Sequence, residues 1–165
     1  MSRTARILIN SQAPGTKAHL SGIPFNDASG ERLREWLQIG PETFYDASRI
    51  AVVPTGLCYP GMLPNGGDAP PRPECAPLWL NRFIELMPDV RLTLLVGGYA
   101  IKNRLGKGTM TEHVRCFRAL GPAIIPLPHP SWRTKVWEKR NPWFEEQLLP
   151  EPRRAVATAL GPRAR

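Results

Sequence analysis

His129 stands between Pro128 and Pro130, and Ser131, Trp132 and Arg133 follow directly. Proline fixes φ and removes a backbone donor, so a histidine between two prolines belongs neither inside a helix nor in a central strand ladder. The apolar run Ala123-Ile124-Ile125 upstream reads as a strand. The imidazole is then held on a stiff loop at a strand end, where open α/β sheets place their ligands, and there it can give or take a proton. The alternative is a proline-rich connection with an incidental histidine. Two further stretches carry polar chemistry. Gln12, beside the turn Pro14-Gly15, offers both donors and an acceptor. Asp27 follows Phe25 in a loop rich in glycine and proline. Its carboxylate is either a helix cap or a catalytic group, and the Phe25 ring either meets a ligand or folds into the core.

The elements that must position these residues are short. Residues 6–10, 50–53, 91–96 and 123–127 read as four buried strands. Helices are expected over about 29–38, 74–87, 99–105, 109–120 and from Asn141-Pro142 onward, with Pro150 and Pro152 interrupting the last before Arg153–Leu160. Leu33, Trp36 and Leu37 form one face of the first helix, capped by Ser29 or Asp27; Leu78, Phe83, Ile84 and Met87 form the inner face of the second. Thr109 and Glu112 have capping-box spacing. Strands alternating with helices predict an α/β fold, a three-layer αβα sandwich around a central, mainly parallel four-stranded sheet. The unusual loops 10–15, 54–73, 97–98 and 126–133 all follow strands, so they share the carboxyl edge of the sheet.

The 165 residues suit a single domain, 1–165, with 151–165 as a basic C-terminal helix and tail. Residues 1–70 carry six Lys/Arg and six Asp/Glu, whereas 71–165 carry sixteen against eight, which supplies the net charge of +8. A one-sided basic surface suits a polyanion such as nucleic acid. No apolar run approaches the roughly 20 residues of a membrane span, and no signal peptide is evident, so a cytoplasmic protein is expected. Three cysteines, Cys58, Cys75 and Cys116, without Cys-x-x-Cys, disfavour both a disulfide framework and a zinc site. No glycine-rich nucleotide-binding loop is present.

Taken in order, Gln12-Ala13-Pro14-Gly15, Gly22-Ile23-Pro24-Phe25, Asp27-Ala28-Ser29-Gly30 and His129-Pro130-Ser131 resemble the uracil-DNA glycosylase superfamily over about residues 7–150. The patterns look most like its iron–sulfur branches, families 4 and 5. The resemblance implies a monofunctional DNA glycosylase that hydrolyses the N-glycosidic bond of a flipped-out uracil and leaves an abasic site. His129 would stabilise the base's O2, Phe25 would stack on the base, Asp27 would act by charge or hold a water, and the Gln12 loop would hold the pyrimidine or the water, Gln12 itself being unable to act as a base. Ala13, Gly15 and Asn26 would line the base. Ser131, Trp132, Arg133, Lys135, Lys139 and Arg140 would meet DNA, with Trp132 or Val136 as the wedge that replaces the flipped nucleotide. The expected partner is uracil-containing DNA, single-stranded or mismatched, bound by a monomer.

The chain departs from those branches at defined places. A thiolate-held cluster needs four ligands and the N-terminal cysteine pair is absent, so no iron–sulfur cluster and no other cofactor is expected. Ala13 stands where other members carry an Asp, and Gln12 where family 4 has a Glu. The second strand, Ala51-Val52-Val53-Pro54, lacks the Asn that pairs with the uracil edge, and Gly15 replaces a Tyr that blocks the thymine methyl. These departures leave other readings open: a catalytically weak uracil- or abasic-DNA-binding protein of the same fold, a glycosylase for hypoxanthine or xanthine, or a small-molecule hydrolase.

Overall fold

The computed structural model describes residues 2–161; Arg163 and Arg165 of the basic tail lie outside the described residues. Four strands, β1 (Ile7–Asn10), β2 (Ile50–Val52), β3 (Leu92–Val96) and β4 (Ile124–Leu127), form one sheet in the order β2-β1-β3-β4. Every neighbouring pair is parallel, with Ile7 opposite both Ile50 and Leu92, and Thr93 opposite Ile124. β4 is an edge strand, which is why Pro126 can sit in it opposite Leu95.

Period-two burial on both faces explains the unbroken apolar runs. Ile7 and Ile9 enter a core with Leu33, Trp36, Leu37, Phe144 and Val156, whereas Leu8 joins Ala51, Val53, Ala76, Leu80 and Met87. Helices α2 (Ala28–Leu37) and α8 (Pro150–Leu160) pack together on the first face. The segment that ends in α4 (Asn81–Glu85) supplies the second. Together these layers form the expected three-layer α/β architecture.

Several expected helices differ in detail. The 74–87 helix is a π-helical turn, Ala76–Leu80, running into α4, and the extra residue per turn rotates its register. Leu78 is therefore 55% exposed, while Ala76 and Leu80 are buried in its place and Met87 stays inside. The 109–120 helix keeps its Thr109–Glu112 capping box but breaks at Cys116 into α6 (Met110–Arg115) and a 3₁₀ turn, Phe117–Leu120. Short helices α1 (Thr16–Ser21) and α3 (Pro41–Phe44) lie in stretches to which the sequence pattern assigns no element, and α5 (Gly98–Leu105) follows β3 as expected. Asn141 precedes the last helical run, as expected: its carbonyl accepts from Phe144 N–H at 2.9 Å, ahead of the π-helical turn Phe144–Leu148. It also ends α7 (Thr134–Arg140), and its side-chain amide donates to the Trp137 carbonyl at 2.8 Å. Pro150 and Pro152 lie where that run passes from the π-helical turn into α8, in the first turn of α8, where the missing N–H costs little.

Candidate active site

The chain leaves β1 toward β2 on one side and later adds β3 on the other, so the strand order reverses between β1 and β3. Ligands bind outside the carboxyl ends of such a switch point. At the end of β1, Asn10 donates to the Val53 carbonyl at 2.8 Å. The Ser11 carbonyl accepts from both the N–H and the hydroxyl of Thr55, at 2.8 and 2.7 Å. Gly56 N–H donates to the Gln12 carbonyl at 2.7 Å. These buried bonds fix the loop that presents Gln12 and Ala13.

Beyond β3 lies Gly97, at φ +92°. A Cβ there would lie 3.4 Å from His129 Cβ and 3.6 Å from Gln12 Oε1, so both side chains border the space above this bare backbone. The His129 loop is braced from behind. The Thr134 hydroxyl donates to the His129 carbonyl, and Arg32 of α2 donates to the Ser131 carbonyl at 2.8 Å while pairing with Glu138 of α7. Burial pushes the Glu138 carboxyl up, opposed by that guanidinium.

Phe25 adopts φ +57°, a left-handed conformation in which a bulky residue is an outlier. Its carbonyl accepts from the Tyr45 hydroxyl at 3.1 Å, and its ring meets Phe44 edge-on with centroids 6.0 Å apart. The ring thus satisfies both expectations: one edge packs on the core, and the rest lines a cavity. Gly30 permits this. A Cβ on it would lie 1.8 Å from the Phe25 carbonyl oxygen. In an ordinary helix Gly→Ala is stabilising by roughly 0.5–1 kcal/mol. Here Gly30→Ala is expected to destabilise by about 1–3 kcal/mol, as overpacking does, and to slow any reaction that uses the Phe25 ring. Urea unfolding alongside an activity assay checks both.

Asp27, rather than Ser29, caps α2, with Oδ1 accepting from Gly30 N–H at 2.9 Å. It also lines the cavity, so the two roles are compatible. The cavity measures about 480 Å³ and gathers Gln12, Ala13, Phe25, Asp27, Asp68 and His129, within the size range of small-molecule sites. Burial holds the His129 pKa below its usual range, opposed by the charges of Asp27 and Asp68. At neutral pH its imidazole is therefore an uncharged N–H donor.

Gly15, Ser131, Trp132 and Arg133 also border the cavity. Trp132 is 74% exposed, and Arg133 lies 5.5 Å from its ring centroid. Lys135, Lys139 and Arg140 are exposed on α7, beyond the rim. Asn26 does not join the site. It is exposed and outside the cavity lining, because the chain turns at Phe25 and Asp27 to start α2. The end of the second strand, which carries no amide, contributes Val52 and then Pro54 to the wall. Asp68 was not legible from sequence. Its only signal was a carboxylate in the irregular segment after β2, whose end shares this edge.

A protein-family model described as the uracil DNA glycosylase superfamily matches residues 1–152. The chain belongs to that superfamily. Membership supports a DNA glycosylase-type hydrolase with DNA as its partner. Within the superfamily fold, His129, Phe25 and the Gln12 loop occupy the crevice at the β1/β3 switch point. The chain does not fit the four-thiolate cluster of the superfamily's iron–sulfur branches. It has three cysteines, of which Cys58 and Cys116 are exposed. No group of three or more His, Cys, Asp or Glu among the described residues could hold a metal ion. Among those residues, no helix is long and apolar enough to cross a membrane.

Proposed function

We propose that the protein is a monofunctional uracil-DNA glycosylase that acts as a monomer and without an iron–sulfur cluster. The observation that carries this reading is the convergence of His129 and Gln12 over Gly97, in one cavity with the Phe25 ring. A uracil turned out of the helix stacks on Phe25. As the C1′–N1 bond breaks, its electron pair passes into the ring and onto O2, where the neutral His129 N–H stabilises it. Water then adds to the electron-poor C1′, and the proton it sheds neutralises the departing uracil anion. Asp27 keeps Oδ2 available to hold that water, because Oδ1 is engaged at the helix N-terminus. Gln12 has no proton-accepting carboxylate and acts by orientation. Flipping costs least at mismatched or unpaired positions, so U·G pairs and single strands are the preferred substrates.

The commitment of Asp27 Oδ1 to the cap, together with Ala13 in the first motif, favours one second reading: a uracil-DNA-binding protein that turns over slowly. Alkali treatment of uracil oligonucleotides after incubation separates the two. Strand breaks at the uracil position support the glycosylase; uracil-dependent binding without breaks supports the binder.

Ser131, Arg133 and the cations of α7 hold phosphates, with Trp132 filling the vacated stack. Each phosphate neutralised contributes roughly 0.9 to the slope of log affinity against log salt. Replacing Lys135, Lys139 and Arg140 together by glutamine is therefore expected to flatten that slope by about 2–3. Titrations of duplex DNA across salt concentrations measure it, and an unchanged slope would place the DNA track elsewhere.

A further inference from the structure

Gly15 has an ordinary extended backbone, φ −82° and ψ 175°, so its own geometry does not demand glycine. What fills the space of its missing side chain is Asp68: a Cβ on Gly15 would lie 3.0 Å from Asp68 Oδ2 and 3.8 Å from Asp68 Cγ. Asp68 arrives from a hairpin-like turn. Met62 and Asp68 bridge antiparallel, Leu63 N–H donates to the Gly67 carbonyl at 2.9 Å, and Ala69 N–H donates to the Gly61 carbonyl at 2.8 Å. Gly61, Gly66 and Gly67 all take positive φ, which the tight reversal requires. The Arg133 guanidinium rests 3.4 Å from the Cβ position of Gly67, so the turn leans against the His129 loop across the mouth of the cavity. No ion pair or side-chain hydrogen bond among the described residues engages the Asp68 carboxylate, and it borders the same cavity as His129 and Phe25.

We propose that Asp68 is the specificity-determining wall of the base pocket, standing in for the side chain that Gly15 lacks and turning away bases that carry an apolar substituent on that edge. The inference rests on the glycosylase reading above. With N1 joined to the sugar and O2 held by His129, C5 of the base on this inference stands against the Asp68 wall. A hydrogen at C5 leaves the carboxylate its water. A methyl group there strips that water and supplies nothing in return, and an ionised acceptor pays heavily for such desolvation. Thymine is thereby excluded, while uracil is admitted.

The test is single-turnover base release from U·G and T·G duplexes by the wild type, Asp68→Ala and Asp68→Ser. The expected result is strong preference for uracil in the wild type and a uracil-to-thymine ratio about tenfold or more lower in both variants, the scale of one methyl group in a pocket. Uracil release is measured in every variant as the reference for that ratio. Uracil release with an unchanged ratio in both variants overturns the role of Asp68 and leaves the glycosylase reading intact. No uracil release by the wild type overturns that reading and this inference with it. The turn is exposed, and the serine variant keeps a small polar group there, so the ratio can be read even if the alanine variant folds poorly.

Discussion

Replacing His129 by alanine is expected to slow base release by about 10²–10³-fold, the usual cost of removing one donor to a developing oxyanion. The loss should fall on the single-turnover rate rather than on DNA affinity, because the donor is worth most when charge reaches O2 and little before. The loop itself should survive the substitution. Its bracing runs through the His129 carbonyl to Thr134 and through the Ser131 carbonyl to Arg32, neither of which uses the imidazole. The pH dependence follows from the same site. Burial lowers the His129 pKa below 6.5 against the pull of Asp27 and Asp68, so above neutrality the imidazole is already uncharged. A neutral donor keeps working as pH rises, so the rate is expected to stay flat from about pH 7 to 8.5. A mechanism that required imidazolium would instead lose about tenfold per pH unit over that span. Rate measurements on wild type and His129→Ala over this range check the magnitude and the protonation state together.

Phe25→Ala is the second large effect. Base–aromatic stacking is worth about 1–3 kcal/mol, or roughly 5–150-fold in affinity for uracil DNA. The variant also gives up the edge contact with Phe44. The backbone provides an internal contrast. A phenylalanine at φ +57° is strained, and such strain persists where function holds it. Phe25→Gly should therefore relieve strain and recover part of the stability that alanine loses, yet bind uracil DNA no better than alanine does. Equilibrium binding and urea unfolding of the two variants separate the ring's role at the site from its role in packing. Equal uracil affinity in wild type and both variants would contradict stacking on Phe25.

Much of the fold was legible because the four strands are buried on both faces and read as apolar runs, and because Leu33, Trp36 and Leu37 mark the inner stripe of α2 so plainly. The His129 loop was legible because prolines flank the histidine. Legibility failed where local pattern does not carry the information. Leu78 pointed outward because a π-helical turn shifted the register, which no 3.6-residue pattern anticipates. Helix α7, whose residues include Lys135, Glu138, Lys139 and Arg140, has no buried stripe to betray it. Gly30 read as part of a motif, and only the Phe25 carbonyl packed against it explains why it must be glycine. Asp68 sits in a segment without period, so its place against Gly15 exists only in three dimensions. Asn26 was expected to line the base because the resemblance left few amides to read it, but it is exposed and outside the cavity lining.

The measurement that bears most directly on the central claim is simultaneous detection of free base and strand integrity. The wild type and His129→Ala are each incubated in excess over a U·G duplex, and the products are resolved before and after alkali. The account predicts stoichiometric free uracil from the wild type, an intact strand until alkali cuts it, and release slowed by 10² or more in His129→Ala. Tight uracil-dependent binding with no free uracil, or release that His129→Ala leaves untouched, would contradict it.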